Sequence, residues 1–555
     1  MQFPETPAAN WHNPTAWVAV ARGPFLLLLI LMAVAGNGRA QTPPTPGGVL
    51  ETVPGRGPEL PPTPPAVLFP NREQPHQISR NAPRFTVNSF HIVGNTVFSE
   101  ARLKRVVEGY LDLQLNLYDL HEAADDITRY YHAHGYTLAR AVIPAQKVER
   151  GIVRIEVVEG RLGKISVEGN KRYSKQFIEA RAASLPRNGL VTQKALERSL
   201  LLMNDLPGLT ARATLQPGAA FGTTDMVIKT QEKMFAGSVA FNNYGREEVG
   251  QDRVDAHLDV NNPLGIGDQI SVRAIQSQNN LLTYGQIGYS LPLMANGTRL
   301  GLSYSDVTYD IAGQFSALGL DGEVTTAQAV LSYPYLRSRR SNILLSAGGR
   351  HTATEQHAFG VPISSDQLNV GTVSLLGNWI HSDSSMTNAT ILFTSNFENN
   401  QCRCRQDAEF GKWDISINHL RAATKNWDLY LSGEFVYSRD ALPDTEKFSI
   451  GGPGSVRGYQ PAELRGDDGW QGTAELRRQF EAINMIGVFS MFYDAGAVEN
   501  KGFSGTDSIR SVGLGVTLFP NRHLQARVEV AHPLSARDAT DGKSDRLWFV
   551  LSGTF

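Results

Sequence analysis

The chain has 555 residues, 41% of them hydrophobic, and a formal net charge of −2 at pH 7. That charge balance gives no electrostatic basis for nucleic acid as a partner. The length exceeds one ordinary globular core, so it requires either several domains or one long β-barrel, whose hydropathy signal per strand is weak.

The first element reads as an export signal. PFLLLLILMAVAG (Pro24–Gly36) follows Arg22 and precedes the small-x-small triplet Gly38-Arg39-Ala40. The run is too short to cross a bilayer and matches a signal peptide over residues 1–40, with a mature start near Gln41. No other apolar run approaches the ~18 residues of a membrane helix. Residues 41–84 are dense in proline and read as an extended linker that packs neither as helix nor as sheet. Within it, GGVLETV (Gly47–Val53) is a clear gap between prolines.

Two related modules follow, residues 85–160 and 161–233. IVGNTVFSEARL from Ile92 and VEGNKRYSKQFI from Val167 share a frame, with Gly94-Asn95 and Gly169-Asn170 standing 75 positions apart. Each Gly-Asn closes a short alternating strand, with Phe90 and Ile92 on one face in the first copy and Ile165 and Val167 in the second. Each also makes a turn into a helical pattern. LHEAADDITRYYHAHGY puts Ile127, Tyr130 and Tyr131 at helical spacing and ends at Gly135. LARAVIP and GIVRIEVVEG then alternate as strands. The unit reads β-α-α-β-β, and two copies are too few for a solenoid.

From residue 234 the period changes to two. DRVDAHLDVNN sets Val254, Ala256, Leu258 and Val260 against Arg253, Asp255, His257 and Asp259. DQISVRAIQ and TRLGLSYSD repeat the contrast, which a 3.6 period would scramble. Short turns (NPLGIG, LMANG) alternate with longer polar connections (NYGREEVG, QSQNNLL), the habit of outer-membrane barrels, and the remaining length accommodates about 16 strands. The alternative is a soluble β-sandwich or propeller; a propeller would need a recurring blade motif, and none is present. A bridge between the two cysteines, Cys402 and Cys404, would be strained and the neighbours of a metal site are lacking, so an exposed loop, with or without a bridge, is expected. The final strand, RLWFVLSGTF, puts Leu547, Phe549, Leu551, Gly553 and Phe555 on one face, as expected if it closes the barrel against the first strand.

Several motifs carry a family resemblance over residues 85–555. They are LLMNDLPGLTARATLQPG (Leu201–Gly218), FNNYGREEVGQDR with DVNNPLGIGDQIS, EKFSIGGPGSVRGY, and FYDAG. With two modules and a barrel, the chain resembles the two-partner secretion transporters (TpsB proteins, the haemolysin and adhesin secretion/activation family of ShlB/FhaC/HecB type). These are two-POTRA members of the BamA-type superfamily. The resemblance implies that the loop holding Val456, Arg457, Gly458 and Tyr459 starts outside the cell and folds back into the barrel. There its arginine would meet the wall motif Phe492, Asp494 and Gly496. It also makes Asn204, Leu206, Pro207 and Gly208 the signature of the second POTRA module. Independently, period two puts Phe492, Asp494 and Gly496 on one face, and a charge belongs on the lumen side. Gly454 and Gly458 would let the loop turn tightly and approach the wall.

The implied function is export of a partner protein, an adhesin or haemolysin, captured by periplasmic POTRA modules and passed through an outer-membrane barrel of a Gram-negative cell. Outer-membrane lipid and the barrel-assembly machinery are expected partners, nucleic acid is not, and neither cofactor nor metal is expected. There is no phosphate-binding loop, G-x-S-x-G elbow or H-E-x-x-H, so no nucleotide coupling and no enzyme is expected. A barrel-assembly factor of the same superfamily usually has more POTRA modules, and a passive porin or adhesin needs none. Members of the family are thought to carry a pore-plugging helix; the prolines here imply that it is short or absent.

Overall fold

The computed structural model describes residues 43–53, 83–183, 185–186, 189–396, 409–482, 485–535 and 539–555. The signal peptide, most of the linker, and Cys402 and Cys404 lie outside the described residues.

Each module is a three-stranded sheet with helices on one face. In the first, Ser89–Val93 runs parallel to Ile152–Val158, which pairs antiparallel with Arg140–Val142. Helices Glu100–Val106 and Leu117–Ala133 connect the strands. Asn116 and Asp119 form a reciprocal capping box at the start of the longer helix, satisfying two backbone donors that would otherwise be orphaned. Leu120, Ile127 and Tyr131 bury its apolar face among Phe90, Val153 and Ile155. An additional two-stranded pairing, Phe85–Val87 with Leu113–Leu115, has too short a pattern to be seen in the sequence. The second module repeats the plan. Arg161–Glu168 is parallel to Thr223–Glu232, Leu209–Pro217 is antiparallel to it, and helices Lys175–Glu179 and Gln193–Asn204 cover the sheet.

The rest is a closed antiparallel barrel of sixteen strands, from Phe235–Asn242 to Arg546–Thr554. The last strand pairs with the first from Val550↔Asn242 to Thr554↔Ser238. The period-two contrast sorts inside from outside: Val254 is 46% exposed whereas Arg253, one residue earlier, is 3% exposed. Val272, Leu302, Ile415, Val530 and Leu551 continue the apolar outer surface, as expected where lipid takes the place of water. The connections nearest the modules are the short ones. Arg172 donates to the carbonyl of Asn262 at 3.1 Å, and Arg198 to that of Pro334 at 2.9 Å. Arg337 holds Asp205 through Nη2 at 2.7 Å, and its side chain is 2% exposed.

The linker contains one departure from expectation. Pro46–Leu50 is a one-turn helix inside the barrel, so this part of the proline-rich segment does pack. Proline stands at the start of the turn, where a missing N–H costs nothing, and Thr45 caps it. Five residues would not hold a helix in water. Here Val49 is fully buried against Ile275, Tyr284, Val307, Leu320 and Val324 of the wall.

Candidate functional site: a loop and a helix pinned in the lumen

The site is built on residues 439–467, which join strand Asp428–Ser438 to strand Asp468–Ala482. A small hairpin, Phe448–Ile450 with Leu464–Gly466, carries the loop inward. Val456 and Tyr459 are fully buried, with Ile450 and Leu464, against Val498 and Ile509. The backbone turns at Gly451 and Gly452, at φ +113° and +95°, where a side chain would be strained. Gly454, expected to serve the turn, has a side-chain position open to space. Gly458 is needed for proximity, since a Cβ there would lie 2.7 Å from that of Ser511.

Arg457 meets Asp494 in a two-pronged contact, Nε to Oδ2 at 2.9 Å and Nη2 to Oδ1 at 2.8 Å. Its remaining Nη1 donates to Glu475 at 3.0 Å and Glu529 at 2.7 Å. The Phe492 ring centroid is 3.2 Å from its Cζ. The Trp548 indole donates to the Arg457 carbonyl at 2.7 Å. Asp494 is 0% exposed and also accepts from Thr473 at 3.0 Å. Gly496 makes room for the hairpin, since a Cβ there would lie 3.2 Å from Ile450. Arg477 holds the second oxygen of Glu475 at 2.9 Å, and Arg527 shares Oε1 of Glu529 with Arg457, at 2.6 Å. Three cations therefore balance three buried carboxylates, and the planar guanidinium geometry fixes orientation as well as attraction.

Sequence reasoning singled out Asp494 and missed Glu475 and Glu529. A signal for them existed. Glu475 alternates with outward Leu476, and Glu529 sits between outward Val528 and Val530; parity alone turns both carboxylates inward.

A second clamp holds the lumen helix. Asp444 accepts from Thr45 Oγ1 at 2.9 Å and from Gly47 N–H at 2.7 Å. Arg465 donates to Thr45 at 2.6 Å and braces Asp444. Arg253 on the wall holds the Thr52 carbonyl. Between helix and loop lies a cavity of about 520 Å³, bordered by Glu51, Thr52, Lys412, Glu434 and Gly452.

The module motifs play a different part. Gly94 and Gly169 turn at φ +81° and +82°, where added side chains would strike the carbonyls of Val157 and Thr230. Asn95 and Asn170 each donate to the carbonyl three residues on, at 2.8 Å. In each copy a carboxylate that sequence reasoning missed collects the turn's free N–H groups. Glu159 serves Thr96 and Val97, and Glu232 serves Lys171 and Arg172. Burial pushes the Glu159 carboxyl up, but donors from Thr96, Val97 and Tyr131 outweigh it and hold the group below its ordinary range. In the second-module signature, Asn204 bonds both Ala211 N–H and C=O at 2.9 Å. Leu206 is buried in the core. The Pro207 carbonyl accepts from Tyr173 at 2.8 Å, and Gly208 turns at φ +67°. These residues build the module and its junction with the barrel.

A closed barrel with an inward-folded loop and α+β modules at its short-turn end defines an outer-membrane transporter of the POTRA–barrel class. The sequence model described as Haemolysin secretion/activation protein ShlB/FhaC/HecB matches residues 222–518, and that of the POTRA domain, ShlB-type, matches residues 85–160. The chain belongs to this ShlB/FhaC/HecB secretion family, and it is an outer-membrane protein whose POTRA modules lie in the periplasm. It is 24% identical to the heme/hemopexin transporter protein HuxB of Haemophilus influenzae over 82% of this chain and 84% of that one. It is likewise 24% identical to the outer membrane transporter CdiB of Dickeya dadantii, over 82% and 83%. Among solved structures it is similar in fold to CdiB from Escherichia coli, with TM-score 0.69, 21% identity, and 87% and 93% of the two chains covered.

Proposed function

We propose that the periplasmic modules capture an extended partner polypeptide, of the adhesin or haemolysin kind, and pass it through the barrel without nucleotide hydrolysis. The carrying observation is that two parts occupy the lumen, each pinned by a few side chains: the loop to the wall by Arg457, and the helix to the base of that loop by Asp444 and Arg465. A passive porin has no use for the modules that accompany them. Withdrawal of both would clear a polar path, and folding of the partner outside would prevent its return. Capture by strand addition suits the open sheet edges of the modules. Outer-membrane lipid would cover the apolar outer band, and insertion would use the barrel-assembly machinery. Deleting residues 85–160 should abolish secretion of the partner while the barrel still inserts and resists heat; normal secretion by that variant would refute the capture step.

A further inference from the structure

The two modules differ in charge. Residues 161–233 carry 12 Lys and Arg against 6 Asp and Glu, a formal +6, whereas residues 85–160 carry 8 against 10, a formal −2. Part of the excess sits at a sheet edge, with Arg212 on the edge strand and Lys229 on the central strand beside it. Arg212 and Lys229 stand directly opposite one another in the antiparallel ladder, both exposed. Lys229 has Glu168 beside it on the third strand. Among the described residues neither cation forms an ion pair, in contrast to Arg154 with Glu156 in the first module. Like charges directly opposite one another destabilise a ladder.

The backbone beside this pair is available. Leu209–Pro217 is an edge of its sheet. Because Asn204 takes both backbone groups of Ala211, those groups point away from the sheet. Period two aims the groups of Ala213 and Leu215 the same way. Asn204 blunts the start of the edge and leaves the next turns of the pleat to receive a strand.

We propose that this edge of the second module selects an acidic, extended stretch of the exported polypeptide, paired along Ala213–Leu215 with a carboxylate beside Arg212 and Lys229. The inference rests on the capture reading above and adds to it the chemistry of the captured segment. A residue of an added strand next to Arg212 lies on the same face of the sheet, about 5 Å across from Arg212 and about 10 Å from Lys229, a gap that a long lysine side chain can narrow. Its carboxylate would relieve their repulsion, and the +6 charge of the module would steer the encounter.

The test uses the full transporter in a neutral detergent and three labelled peptides of one alternating pattern, with Glu, Gln or Lys at the polar positions. The Glu peptide should bind about fivefold to tenfold more tightly than the Gln peptide at low salt, an advantage that fades as salt rises. Arg212→Glu with Lys229→Glu should reverse the order in favour of the Lys peptide, which also shows that the variant is folded. Equal binding of all three peptides would overturn the charge selection while leaving capture standing. Binding of none would overturn selection at this edge, and the secretion assay of the deletion variant judges capture separately. Short-chain phosphatidylglycerol is the lipid control. A response to it that the double variant loses, without Glu-peptide binding, would assign the cations to the membrane and overturn the proposal.

Discussion

Arg457 acts as a bolt because four of its five guanidinium donors are divided among three carboxylates on three strands. Asp494 holds two prongs, while Glu475 and Glu529 share the third nitrogen. Removing the arginine leaves buried carboxylates short of a cation, a loss of about 3–5 kcal/mol when a buried pair is broken from one side. Arg457→Ala should therefore release the loop and change single-channel conductance. Asp494→Asn should do so less, because Glu475 and Glu529 remain; equal traces for wild type and both variants would remove the loop from gating. A different residue sets the acid tolerance of the first module. Glu159 titrates lower in the folded module than in the unfolded chain, so it stabilises the fold above the ordinary carboxylate range. That contribution is lost as pH falls through its depressed pKa. Glu159→Gln should lower the module's stability at neutral pH by about 1–3 kcal/mol, the cost of leaving buried donors poorly served. It should also flatten the pH dependence, read as the urea midpoint for proteolysis within residues 85–160.

Among the elements, the hairpin Leu320–Arg337 and Ser341–Ala358 touches both the second module and the lumen helix. At its turn, Arg337 binds Asp205 and Arg198 reaches the Pro334 carbonyl. At its far end Leu320 and Val324 pack on the lumen helix, and Gln356 reaches Pro44. Asp205→Ala would strand a buried guanidinium, again about 3–5 kcal/mol, and should free the second module from the barrel. Spin-label distances between the two should broaden, and the exchange Asp205→Arg with Arg337→Asp should narrow them again in part. Asp444→Ala should loosen the helix Pro46–Leu50 from the base of the loop while leaving the Arg457 network in place, giving a larger open-channel current. This helix was the element least legible in the sequence. Proline density argued against it, and its stability comes from the wall around it, which lies more than two hundred residues away in the chain. The module helix Leu117–Ala133, by contrast, carries its apolar stripe and its stop locally, in Ile127, Tyr131 and Gly135, and was readable without the fold.

At the scale of the molecule, strand parity made the barrel legible. Val254 against Arg253 and Leu547 against Trp548 report inside and outside one residue at a time, and a closed sheet needs little else. The same parity placed Asp494 inward. It could not say which other wall residues lie at the same height, because that depends on the stagger between neighbouring strands; hence Glu475 and Glu529 were missed. Stagger also puts a condition on how the pore conducts. With the loop seated, Arg457, Arg477 and Arg527 match Asp494, Glu475 and Glu529 one for one. When the loop leaves it takes one cation with it, and the wall keeps an unmatched negative charge. Acidic linings favour cations. Under a salt gradient the reversal potential, and not only the size of the current, should then shift between seated and withdrawn states, so the electrical sign of the pore reports the position of the loop.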